Sequence, residues 1–96
     1  MKNYREELMY INGKEVESVS GRWIDVENPS KKGTFSGRVP MGNAEDVDLA
    51  VKAAYNAFDG WRMVPANDRG ALLMKIADEV EKYQEEIAYT IASENG

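Results

Sequence analysis

Carboxylates are the most plentiful reactive groups in this sequence, and they fall in clusters: Glu6/Glu7, Glu45/Asp46/Asp48, Asp78/Glu79/Glu81 and Glu85/Glu86. Two carboxyls converging in a partly dry cleft, with their pKa values pushed apart, can act as general acid and base. These clusters instead fall on the polar sides of helical patterns or at a helix start, where water and the helix dipole account for them. Their expected state is solvated. Other chemistries are excluded outright, because the sequence contains no cysteine and no histidine. That removes a disulfide framework, a thiolate nucleophile, an imidazole base and the usual zinc ligands. Gly33, Gly37 and Gly42 surround a strand pattern, but their spacing matches neither the dinucleotide fingerprint nor the phosphate loop. Trp23, Phe58, Trp61, Tyr55, Tyr83 and Tyr89 would need a basic groove to stack nucleic-acid bases.

The charge balance argues against one. The 96 residues carry 17 acidic and 12 basic side chains, a net charge of −5, which argues against nucleic acid or an anionic membrane as partner. Residues 1–43 hold 7 basic and 6 acidic groups, whereas residues 44–96 hold 5 and 11. Apolar content of 43% with 30% charged residues is globular rather than disordered. No apolar run approaches the ~18 residues of a membrane span, and no apolar signal stretch opens the sequence. The expected setting is therefore cytoplasmic. A compact domain of this length should bury roughly 60–65% of its unfolded surface.

The charge break coincides with a change of period. Leu8 to Ile11 is a short apolar run, Asn12-Gly13 is the strongest two-residue hairpin signal, and Lys14 to Glu17 is the polar return strand. Trp23 to Glu27 alternates with period two until Asn28-Pro29-Ser30 ends it, and Phe35 to Val39 is a third candidate strand. From Asn43 the period becomes 3.6. Asn43 suits an N-cap with Asp46 at the third helical position, and Val47, Ala50, Val51, Ala54 and Phe58 form one stripe up to a stop at Gly60. A second helix, with a poorly capped start at Pro65 or Ala66, is expected to bury Leu72, Leu73, Ile76, Ala77 and Val80. Glu85, Ile87, Ala88, Ile91 and Ala92 extend or restart that pattern after a break near residues 82–84. The expected fold class is an α+β unit: an N-terminal β-hairpin and strands, then two to three helices. Residues 1–96 would form a single incomplete domain, strands and turns in 1–43 and helices in 44–96.

Read as an ordered set of words, the sequence closely resembles the start of the aldehyde dehydrogenase superfamily. The words are Tyr10-Ile11-Asn12-Gly13-Lys14, Val26-Glu27-Asn28-Pro29-Ser30 and the run from Ala44 to Ala54, then Ala57-Phe58, Trp61-Arg62, Asp68 to Leu73, Ile76-Ala77-Asp78 and Glu94-Asn95-Gly96. The resemblance implies an N-terminal segment of an α/β coenzyme-binding domain. It also implies a parent enzyme that oxidises aldehydes to carboxylic acids with NAD or NADP, by attack of a cysteine thiolate on the carbonyl. In such enzymes the cysteine, the glutamate base, the oxyanion-stabilising asparagine and the dinucleotide loop lie beyond the residues matched here. No catalytic or cofactor-binding role therefore falls on this chain, which is expected to be inactive alone. One detail carries over: a monovalent cation held by the backbone carbonyls of Val26 and Glu27 and the side chain of Glu94. The expected partners are the remainder of an aldehyde dehydrogenase or further copies of the chain, with no nucleic acid and no membrane. The alternative is a stand-alone acidic helical module for interaction or self-association. A third reading is a regulator that docks onto an intact dehydrogenase subunit.

Overall fold

Asn12 and Gly13 adopt φ of 54° and 76°, the left-handed backbone that a type I′ turn demands. In the computed structural model, which describes residues 4–96, they join β2 (Met9–Ile11) to β3 (Lys14–Val16) as an antiparallel hairpin. Next come β4 (Trp23–Glu27) and β5 (Phe35–Pro40), also antiparallel, with Asn28-Pro29-Ser30 opening the turn between them. Val26 lies opposite Gly37 but Glu27 lies opposite Phe35, so Ser36 is the extra residue of a bulge.

No local pattern announces β1 (Arg5–Glu6), which runs parallel to β5 and completes a sheet of order β1-β5-β4. Its seat is Gly37. A Cβ at that position would overlap the Arg5 carbonyl oxygen and lie 2.9 Å from the carbonyl carbon. Only glycine lets the two backbones approach so closely.

The helices follow: α1 (Ala44–Arg62), α2 (Ala66–Lys82) and α3 (Gln84–Asn95). Asn43 and Asp46 form the reciprocal capping box of α1, each side chain accepting from the other's backbone N–H. The expected stop at Gly60 is wrong, because α1 continues to Arg62. An interior glycine costs a helix only about 1 kcal/mol, whereas Pro65 forces the residue before it out of helical geometry. Pro65 sits at the start of α2 with no side-chain cap. The break between α2 and α3 is the single residue Tyr83, at φ −103° and ψ 17°.

Packing departs from the expectation of a small core. No apolar side chain is buried among the described residues, and the only buried positions are Ser18, Gly37 and Asp46. Leu72, Leu73, Ile76 and Val80, expected to be buried by α2, are all exposed, and so is Ala77. The stripe on α1 is also turned outward: Val47, Val51 and Phe58 are about 60% exposed. The hairpin instead faces Asp46, Leu49, Ala53 and Asn56. The accessible surface is 7868 Å², against about 5,500 Å² for a compact monomer of this size. The radius of gyration, 16.7 Å, likewise exceeds the ~12.5 Å of a globular domain of this length. The principal extents of 49 × 33 × 17 Å describe a slab.

A slab with two apolar faces should not remain dispersed in water. In sedimentation velocity over a micromolar concentration series, the isolated chain should show mass rising with concentration. A compact monomer at every concentration, unfolding in one cooperative transition, would contradict this.

Candidate functional site

A groove of about 630 Å³ lies between the β1-β5-β4 sheet and the α2–α3 arm. Val26 from β4, Val39 from β5, and Val80 and Ile87 from the helices give it apolar walls, while Arg5, Arg38 and Glu86 supply charge. Glu94 reaches the same groove from the last turn of α3. Two of the anticipated cation ligands, Val26 and Glu94, thus border one space. Glu27 does not line it; it ends β4 beside the bulge. Unpaired carbonyls at a helix C-terminus carry partial negative charge, which makes the α3 end hospitable to a cation.

Two contacts fix the end of α3 to the strands. The Ser36 hydroxyl, displaced by the bulge, donates to the Ser93 carbonyl at 3.4 Å. Gly96 takes φ +80° and packs against Pro29 and Ser30, whose nearest atoms lie 3.3–3.8 Å from where its Cβ would stand. The Asn28-Pro29-Ser30 turn, tightened by the Ser30 N–H donating to Asn28 Oδ1 at 3.0 Å, therefore abuts the residues that follow Glu94. Among the described residues, no group of three or more acidic, histidine or cysteine side chains is placed to hold a metal.

The second constellation lies at the start of α1 and corrects the reading of Asp46 as a solvated carboxylate. Asp46 is only 4% exposed and Ser18 6%. Ser18 Oγ donates to Asp46 Oδ2 at 2.5 Å, the Val19 N–H to Oδ1 at 3.0 Å, and the Asn43 N–H to Oδ2 at 3.0 Å. Ser20 Oγ donates to the Met41 carbonyl at 2.9 Å. These bonds join the loop after β3, the loop after β5 and the first turn of α1. The carboxylate is held below its ordinary pKa of 3.8, first by the Ser18 hydroxyl and then by the Val19 and Asn43 N–H groups, with burial opposing them. Sequence reasoning placed Asp46 in the helix cap but could not find Ser18, which lies 28 residues away. One further polar atom, Arg69 Nε, is shielded from water without a hydrogen-bond partner in the described residues.

Comparison with known proteins gives this arrangement a context. The family model described as "Aldehyde dehydrogenase family" matches residues 16–96. This chain belongs to the aldehyde dehydrogenase family. It is 43% identical over 89 residues to the alpha-ketoglutaric semialdehyde dehydrogenase of Bacillus subtilis (strain 168), a match covering 93% of this chain and 18% of that enzyme. The solved structure of an NAD-dependent aldehyde dehydrogenase from Sinorhizobium meliloti superposes with a TM-score of 0.90 at 35% identity, over 94% of this chain and 18% of that one. PnpE in complex with nicotinamide adenine dinucleotide superposes with a TM-score of 0.84 at 41% identity, over 91% and 18% of the two chains. The present sequence thus spans about a fifth of the length of these relatives and corresponds to the N-terminal part of the aldehyde dehydrogenase fold. The stand-alone module gains no support from these likenesses.

The Asp46 constellation makes a prediction about acid. A group whose pKa is depressed by folding adds stability above its unfolded value, and that stability is lost as pH falls through the folded value. Helix signal from the aldehyde dehydrogenase segment should therefore weaken below pH 3.8. Asp46→Asn should lower the melting temperature at neutral pH and flatten that acid limb. Circular dichroism melts of both proteins across the acid range measure it, and superimposable acid limbs would refute the assignment.

Proposed function

We propose that this chain is the N-terminal layer of an enzyme that oxidises an aldehyde to a carboxylic acid with NAD. The observation that carries the reading is the 81-residue family match together with the TM-score of 0.90 to an NAD-dependent aldehyde dehydrogenase. The layer's work is structural. Its accessible surface exceeds that of a compact monomer by about 2,300 Å², the scale of an obligate interface rather than a transient one. The occupant of that surface is the remainder of an aldehyde dehydrogenase.

The chemistry sits outside these residues. A thiolate nucleophile cannot come from a sequence without cysteine. The dinucleotide does not fit here either. The best-formed helix start is that of α1, where the Asn43 side chain takes the Asp46 N–H and the buried Asp46 carboxylate would repel a pyrophosphate. NAD, supplying the hydride acceptor of the parent enzyme, is thus held by other parts of the fold.

Within this reading the chain contributes one side of a monovalent-cation site: the Val26 and Glu27 carbonyls and the Glu94 carboxylate. Supporting it are the shared groove of Val26 and Glu94, the bulge beside Glu27 and the negative end of α3. Sodium or potassium would then tie the strand turn to the helix end.

Two measurements test the proposal. The chain mixed with NAD and a short aldehyde should give no NADH absorbance above buffer, and turnover would overturn the structural role. Thermal melts in sodium or potassium, against equal choline, should show a saturable rise in Tm that Glu94→Gln removes. An equal rise in that variant, or none in the unaltered chain, would overturn the cation assignment.

A further inference from the structure

Helix α3 borders the sheet without burying an apolar side chain against it. Its half-buried residues are Glu86, Thr90 and Ser93, while Ile87, Tyr89 and Ile91 are exposed. Spacings of four and three residues place the half-buried set on one helical stripe. Two of the three satisfy themselves within the helix, Thr90 Oγ1 donating to the Glu86 carbonyl at 2.9 Å and Ser93 Oγ to the Thr90 carbonyl at 3.0 Å. Apolar burial therefore does not hold this helix to the strands. Specific polar ties must.

The tie near the start of α3 is an ion pair from β1: Arg5 Nη1 lies 2.8 Å from Glu86 Oε1. Near its end the tie is the Ser36 hydroxyl on the Ser93 carbonyl. The two points are seven residues apart, about 10 Å along the axis. β1 is itself secured to β5 by the glycine seat at Gly37, by the Glu7 N–H donating to the Arg38 carbonyl at 3.1 Å, and by the pairing of Glu6 with Arg38. The Arg38 guanidinium is braced in turn over the Trp23 ring, 4.0 Å from its centroid. Arg5 and Glu7 stand at the groove between sheet and helix, on the β1 side.

The structure assigns β1 the role of a salt-sensitive strap: seated on Gly37, it holds the start of α3 to the sheet through Arg5 and closes one side of the groove, and its release loosens the helix. Both partners of the ion pair are a little over one-third exposed, so salt and small changes in the strap shift the balance between seated and released states. This inference does not rest on the enzymatic reading of the longer protein.

Hydrogen exchange followed by mass spectrometry on the whole chain tests it, using changes that lie off α3 and leave its own helix propensity untouched. Arg5→Gln should speed exchange of the amides from Ile87 to Ser93 by about threefold, the scale of one exposed ion pair. Arg5→Lys should restore most of the protection. Gly37→Ala, which unseats the strap altogether, should speed the same amides by about tenfold or more. Molar salt, with its Debye length of about 3 Å, should reproduce the Arg5→Gln effect in the unaltered chain. Equal α3 exchange in the unaltered and Gly37→Ala chains would overturn the strap. So would an unaltered chain in which α3 is unprotected from the start, or an Arg5→Lys variant as loose as Arg5→Gln.

Discussion

The Asp46 carboxylate is the point from which the rest of this structure hangs. It accepts from the Ser18 hydroxyl, the Val19 N–H and the Asn43 N–H. Those donors come from the segment leaving the hairpin and the segment leaving the sheet, and both end at the first turn of α1. With no apolar core among the described residues, the strands and helices need some fixed joint, and here the joint is polar. Buried polar groups are costly unless satisfied, but once satisfied they specify one geometry where hydrophobic contact would tolerate several. The Gly37 seat plays the same part within the sheet, where β1 meets β5. The buried residues Ser18, Gly37 and Asp46 thus mark where elements are joined, and none of them is hydrophobic.

Around these joints the apolar residues serve a different purpose. The Val47, Val51 and Phe58 face of α1 and the Leu73, Ile76 and Val80 face of α2 are laid out with the regularity of core stripes, yet they are exposed. Nothing among the described residues covers them. A segment matching about a fifth of an aldehyde dehydrogenase is one layer of a layered fold, and layers bury their stripes against one another.

Local chemistry in the sequence predicted much of this architecture. Asn12-Gly13 announces its hairpin, Asn43 with Asp46 announces α1, and the strand at Trp23 to Glu27 stops where Asn28-Pro29 makes it stop. Features that depend on distant residues were not legible. β1 is two charged residues whose pairing requires a glycine 32 positions later, so no local pattern marks it. Asp46 looks like any helix-start carboxylate until Ser18 is brought to it. Gly60 reads as a terminator, but the proline after it is the stronger constraint. The outward turn of the α1 stripe could not be inferred either, because periodicity identifies an apolar face without saying what covers it. Val26 and Glu94 were singled out through the family resemblance, and their common groove becomes visible only when α3 returns to the sheet.

The slab shape changes how mutations in this chain should be interpreted. A slab 17 Å in its shortest extent, with no apolar side chain buried among the described residues, offers no packed apolar interior in which a lost methyl group could leave a void. Truncating Phe58 or Ile76 would remove little that the isolated chain depends on, although the same change would open a cavity once the opposite layer is in place. Tolerance to mutation therefore belongs to the assembled protein. Measured on this chain alone, the apolar faces would look expendable, and the joints at Ser18, Gly37 and Asp46 would account for nearly all of the sensitivity.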